Sequence, residues 1–151
     1  QRNGGWSMDT YAVTDWITNT VKELRKYTDR PIVVRGHPGD KNAIRYLSQK
    51  GVDWGLSRKE KITDDFKNAW ATITYNSSPG VASAIEGIPV FVTDPTARVS
   101  QAYEVANTNL ADIESPKLFE RQAWVEALSM SHWKFEELSN GSAWNHMRQY
   151  V

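Results

Sequence analysis

The stretch "WATITYNSSPGVASAIEGIPVFVTD", from Trp70 to Asp94, constrains the fold more than any other part of the chain. A β-branched and aromatic run, "WATITY", meets a polar turn, then a helix-forming segment over 79–86, then a Gly87 to Pro89 break, then a second apolar run, "IPVFVTD". Pro79 falls in the first turn of that helix, where its missing N–H costs no hydrogen bond. Short, continuously apolar runs suit strands covered on both faces, and strand, helix and strand joined by short polar turns predict a right-handed parallel crossover.

The rest of the chain repeats this alternation. After Asp9, a candidate N-cap, apolar residues recur at Val13, Ile17, Val21 and Leu24, the spacing of a helix with one buried stripe. Pro31 to Val34 read as a buried strand, and Asp40 is positioned to cap a helix carrying Ala43, Ile44 and Leu47. "KGVDWGLS" reads as a weaker strand, and Thr63 as the cap of a short helix through Asn68. From Leu118 onward the pattern turns purely helical: "FERQAWVEALSM", "WKFEELSN" and "SAWNHMRQYV". The expected architecture is α/β: a Rossmann-like parallel sheet with helices on both faces, and a C-terminal helical tail over 118–151. All of 1–151 is expected to form one domain.

Composition narrows the function classes. Lys plus Arg and Asp plus Glu each total 18, so no net charge draws the chain to nucleic acid or to an anionic membrane. There is no cysteine, which suits a reducing compartment and points to the cytoplasm, and no apolar run of membrane-spanning length or signal-peptide pattern is present. The sequence opens at Gln1 directly in a Gly-rich loop, as though the strand that feeds it lay further ahead, so a fragment is expected.

In a doubly wound sheet ligands sit beyond the carboxyl ends of the strands, which makes three loops candidates. "NSSPG" puts Asn76, Ser77 and Ser78, with Gly80 behind them, at a helix start. Free N–H groups and the helix dipole favour a phosphate there, and the hydroxyls add donors; the plain alternative is that Ser78 caps the helix. "RGHPGD" puts Arg35 at a strand end and His37 beside Pro38 and Gly39, where guanidinium and imidazole can donate to phosphoryl oxygens, the alternative being ordinary exposed surface. "QRNGGWSM" offers donors on Arg2 and Asn3, close backbone approach at Gly4 and Gly5, and Trp6 as the tryptophan nearest a ligand. Trp124, Trp133 and Trp144 fall at helical apolar positions and are expected to pack the tail onto the sheet. His132 and His146 lack Asp or Glu at ligand spacing, so no metal site is expected. Asp64 and Asp65 read as first-turn charges, and Asp94 either reaches the site or forms the turn "TDPT".

The "RGHPGD" loop followed by "DDFKNAWATITYNSSPGVASAIEGIPVFV" resembles the C-terminal half of GT-B glycosyltransferases of the capsule and lipopolysaccharide type, including bacterial sialyltransferases and Kdo transferases. The tail "RQAWVEALSMSHWKFEELSNGSAWNHMR" is similar to the end of glycosyltransferases from phages and marine bacteria, so the resemblance covers most of the chain. Those enzymes carry an HP and an SS motif that contact the phosphate of a CMP-sugar donor, which the resemblance assigns to His37, Pro38, Ser77 and Ser78. It implies a nucleotide-sugar-binding domain with a CMP- or UDP-linked donor and neither metal nor cofactor, acting in polysaccharide or glycan biosynthesis. Two departures stand out. The family's ribose-binding glutamate is replaced by Ala82, with Glu86 a turn later read as structural or solvent-facing. The general base of the sialyltransferase-like enzymes comes from an N-terminal Rossmann domain outside this chain, so the isolated chain is expected to be inactive. Alternative readings are a sugar-nucleotide epimerase-like domain and a non-catalytic nucleotide- or phosphate-binding module. An exposed sheet edge also predicts a possible homodimer.

Overall fold

The computed structural model describes residues 12–40, 42–96 and 100–150. Arg2, Asn3, Gly4, Gly5, Trp6 and Asp9 therefore lie outside the described residues. The chain divides into two compact units, Gln1–Phe119 and Glu120–Val151.

The first unit is α/β. Helix α1 (Ala12–Leu24) buries Val13, Ile17, Val21 and Leu24, the stripe that the spacing predicts. Strand β1 (Val33–Val34), helix α2 (Ala43–Leu47) and strand β2 (Gly55–Leu56) follow, then α3 (Ile62–Phe66), β3 (Thr72–Thr74), α4 (Ser78–Ile85), β4 (Val90–Val92) and β5 (Ala106–Asn107). Every ladder is parallel: β1 pairs with β2 in one sheet, and β4 lies between β3 and β5 in another. All of β4 is buried, as a central parallel strand should be.

Helices cover both faces of the three-stranded sheet. On one face Phe91 and Ile73 pack with Leu24 of α1 and with Ile113 of a 3₁₀ turn over Leu110–Glu114. On the other, α4 lies so close that a Cβ on Gly80 would sit 2.8 Å from Thr74 Cγ2 and 3.3 Å from Val90 Cγ2. The Thr72 hydroxyl meets Ser83 Oγ at 2.6 Å on this face. α1 also covers the two-stranded sheet, where Val13, Ile17 and Val21 cluster with Ala43 and Leu47 of α2 and with Val34 and Leu56.

Several local expectations are corrected. Ile44 is exposed, because α2 has only five residues and buries the i, i+4 pair Ala43 and Leu47. The N-cap of α2 is Asn42, and Asp40 instead accepts from the Asn42 N–H at 3.0 Å and the Tyr46 hydroxyl at 2.9 Å. Lys61, not Thr63, holds the N-cap position of α3, without a side-chain bond, and Ser77, not Ser78, is the N-cap of α4.

The second unit holds α5 (Gln122–Ser131), α6 (Phe135–Ser139) and α7 (Ser142–Met147). Trp124 is buried and the Trp133 and His146 rings lie 5.2 Å apart, but Trp144 is 62% exposed, against its expected packing role. His132 Nδ1 donates to the Leu128 carbonyl at 2.8 Å and so closes the end of α5. Among the described residues no helix is long and apolar enough to cross a membrane.

Candidate functional site

The two described candidate loops both leave the carboxyl ends of strands, one after β1 and one after β3. They are held in different ways. In the first, Arg35 Nη1 donates to Asp65 Oδ2 at 2.7 Å and to the Lys59 carbonyl at 2.9 Å, while Nη2 donates to the Glu60 carbonyl at 2.8 Å. Ser57 Oγ also donates to Asp65, at 2.7 Å. The guanidinium thus ties the end of β1 to the segment beyond β2 and to α3. Asp65 does more than complement a helix dipole, since it neutralises Arg35 within the fold.

His37, Pro38 and Gly39 are exposed. The Gly39 N–H donates to His37 Nδ1 at 2.9 Å, so Nδ1 is an acceptor and Nε2 carries the ring proton of the neutral imidazole. The turn presents His37 as a donor through Nε2. Gly36 brings α2 against the strand end: a Cβ there would lie 2.7 Å from the Ala43 Cβ.

In the second loop, Thr74 ends β3 with its Oγ1 accepting from the Ser77 N–H at 2.9 Å, which folds the chain into the start of α4. Ser77 is in extended backbone as N-cap, Ser78 and Pro79 are exposed, and Gly80 is buried. Gly80 lets α4 pack closely on β3 and β4. Glu86, at the C-cap of α4, is exposed.

The sequence underrated Asp94. It follows β4, is only 5% exposed, and its Oδ2 accepts from Asn76 Nδ2 at 2.7 Å. Oδ1 accepts from the Thr96 N–H at 2.9 Å and the Thr96 hydroxyl at 2.7 Å. Burial alone would raise its pKa, but the donors from Thr96, Asn76 and Tyr75 outweigh burial and hold the carboxyl below its usual range. Asp94 therefore makes the turn and also braces the "NSSPG" loop against the end of β4. Burial, and then the same carboxylate, raises the pKa of the Tyr75 hydroxyl above its usual value. Above this network Trp16 of α1 donates from Nε1 to Thr93 Oγ1 at 2.7 Å and meets Tyr75 edge-on, with centroids 6.2 Å apart. The signal for this brace was an Asp and an Asn each just beyond an apolar run, but their pairing needs the parallel register of β3 and β4.

A shallow open cleft of about 520 Å³ lies at the amino ends of the strands instead, lined by Arg25, Tyr27, Thr28, Arg30 and Glu114 among others. Its charges pair with one another and with neighbours: Arg25 with Asp53 at 2.5 Å, Arg30 with Glu114 at 3.1 Å, and Thr28 with Glu114. Among the described residues no three His, Asp or Glu side chains come together to hold a metal ion. The chain matches no family model, and neither a curated protein nor a solved structure matches it.

Proposed function

We propose that this chain binds the nucleotide of a CMP- or UDP-linked sugar, as the donor domain of a GT-B-like glycosyltransferase of cytoplasmic polysaccharide or glycan biosynthesis. The observation that carries this reading is the loop after β3. It delivers Asn76, Ser77 and Ser78 to the start of an eight-residue helix, at the carboxyl end of a parallel ladder, braced by a buried carboxylate. The Ser78 N–H, the α4 dipole and the serine hydroxyls would carry the leaving phosphate, with His37 Nε2 as a further donor from the neighbouring loop. Arg35 would act on the site indirectly, by holding the end of β1.

The same geometry favours a second reading for the chain in isolation, a phosphate-binding module without chemistry. A general base must accept a proton, but Asp94 is held ionised by a full set of donors and is correspondingly weakly basic. The acceptor-activating carboxylate would come from an additional N-terminal Rossmann-like domain.

Calorimetric titration with CMP, UDP and inorganic phosphate separates these readings: nucleotide binding stronger than phosphate supports a donor domain, and equal affinity supports the module. Replacing Ser77 and Ser78 together with Ala should weaken CMP binding at least tenfold. A helix cap costs only about 1 kcal/mol, so the fold should survive. Labelled-sugar transfer should be absent from this chain and present in a protein that joins it to the second domain. Multiple turnovers by the 151 residues alone would place the base within them.

A further inference from the structure

The two sheets of the first unit are arranged as parts of one. At the amino ends, Arg30, just ahead of β1, lies 4.0 Å over the ring of Trp70, just ahead of β3. At the carboxyl ends, Trp16 packs in the cluster that includes Val34 of β1 and also bonds Thr93 and meets Tyr75, the residues just beyond β4 and β3. β1 and β3 therefore start at one end and finish at the other, side by side under α1. Ile32 at the start of β1 and Ile73 of β3 also pack on the same Leu24, Phe91 and Ile113 cluster. Yet among the described residues no strand pairs with the second edge of either: the orders are β1-β2 and β3-β4-β5.

Both edges are built to be paired. The carbonyls of Ile32 and Val34 accept from Gly55 and Ser57, so in a parallel ladder the N–H and C=O of Val33 point away from β2. Thr72 and Thr74 bond to Pro89 and Thr93, which turns the N–H and C=O of Ile73 away from β4. A strand placed between β1 and β3 would give each of these groups a partner. Val33 is 61% exposed, an unusual state for a valine in a parallel strand that should be covered on both faces.

We infer that one parallel strand, carried by the same polypeptide ahead of Gln1, inserts between β1 and β3 and joins the two sheets into a single sheet of six. Handedness places this strand on the amino-terminal side of α1. α1 covers the gap and runs directly into β1, so a strand leading into α1 from the gap completes a right-handed crossover with β1. The resulting order, β2-β1-inserted-β3-β4-β5, is that of a doubly wound sheet whose reversal point lies between the inserted strand and β3, next to the "NSSPG" loop. The inserted segment should be a short continuous apolar run, as β4 is. This inference rests on the topology alone and stands or falls apart from the nucleotide reading.

The test uses three forms of the chain: unextended, extended ahead of Gln1 by a six-residue Val/Ile leader, and extended by the same leader with Pro at alternate positions, which cannot pair. Hydrogen exchange at the Val33 and Ile73 amides is read together with mass in solution. The expected result is at least tenfold slower exchange at both amides in the Val/Ile form alone, as a monomer. Unchanged exchange at both, or protection of only one, would overturn the inference, because an inserted strand must bond both edges. Protection already present in an unextended dimer would also overturn it and assign the position to a second copy of the chain.

Discussion

The two halves of the α/β unit use the same parallel pairing to different ends. In the two-stranded half, the loop after β1 is fastened by Arg35 to Asp65 and to two carbonyls, and its tip, His37 to Gly39, is exposed. In the three-stranded half, the loop after β3 is fastened across the strand ends by Asn76 to Asp94, just ahead of Ser77 and Ser78 at the start of α4. The difference is where the brace lies. A cation spent inside the fold steadies a loop but leaves it less to bind with, whereas a buried carboxylate beneath the loop steadies it without using the serines at the helix start.

The largest expected effect tests the packing side of this comparison. Phe91 is fully buried between α1 and the 3₁₀ turn, and Phe91→Ala should cost about 3–5 kcal/mol. Leu47→Ala, in the other half, should cost less, near 2–3 kcal/mol, because the five-residue α2 relaxes into the cavity more easily. Equal losses in chemical denaturation would remove the distinction. Next come the glycines. Gly80→Ala places a methyl 2.8 Å from Thr74 Cγ2, and should cost about 1–3 kcal/mol through overpacking. Gly39→Ala meets only the His37 ring at 3.2 Å, an exposed side chain that can swing aside, so the change should stay within about 0.5 kcal/mol.

A pH-dependent effect probes the brace itself. The Asp94 carboxyl is held below its usual range, so its stabilisation is present above about pH 4 and is lost as pH falls through its lower folded value. Asp94→Asn should destabilise near neutral pH by about 1–3 kcal/mol, and its gap to the natural chain should close in acid. A gap independent of pH would mean that Asp94 acts by shape and not by charge.

Much of the three-stranded half was legible because its signals are local. The apolar stripe of α1 and the unbroken runs of β3 and β4 each follow from a single period, and Pro79 marks a helix start wherever it falls. What stayed hidden depends on residues far apart in the chain. Arg35 and Asp65 meet only after β2 has paired with β1. β5 was not foreseen, since Asn107 in "VANTN" reads as a turn residue. In the fold it is buried, and its side chain substitutes for backbone, donating to the Val90 and Lys117 carbonyls and accepting from the Lys117 N–H. Thr74 looked like any β-branched strand residue, yet its hydroxyl fixes the first N–H of the turn into α4. A polar side chain standing in for backbone leaves no periodic trace.

The proposed anion site is the braced helix start, at the opposite end of the strands from the cleft. Backbone amide shifts on titration with CMP test it directly. Perturbation should concentrate at Asn76, Ser77, Ser78 and Gly80, with the Tyr27 to Arg30 turn unmoved. Shifts centred on Arg25, Thr28 and Arg30, with Ser77 to Gly80 unchanged, would contradict it and move the site to the other end of the sheet.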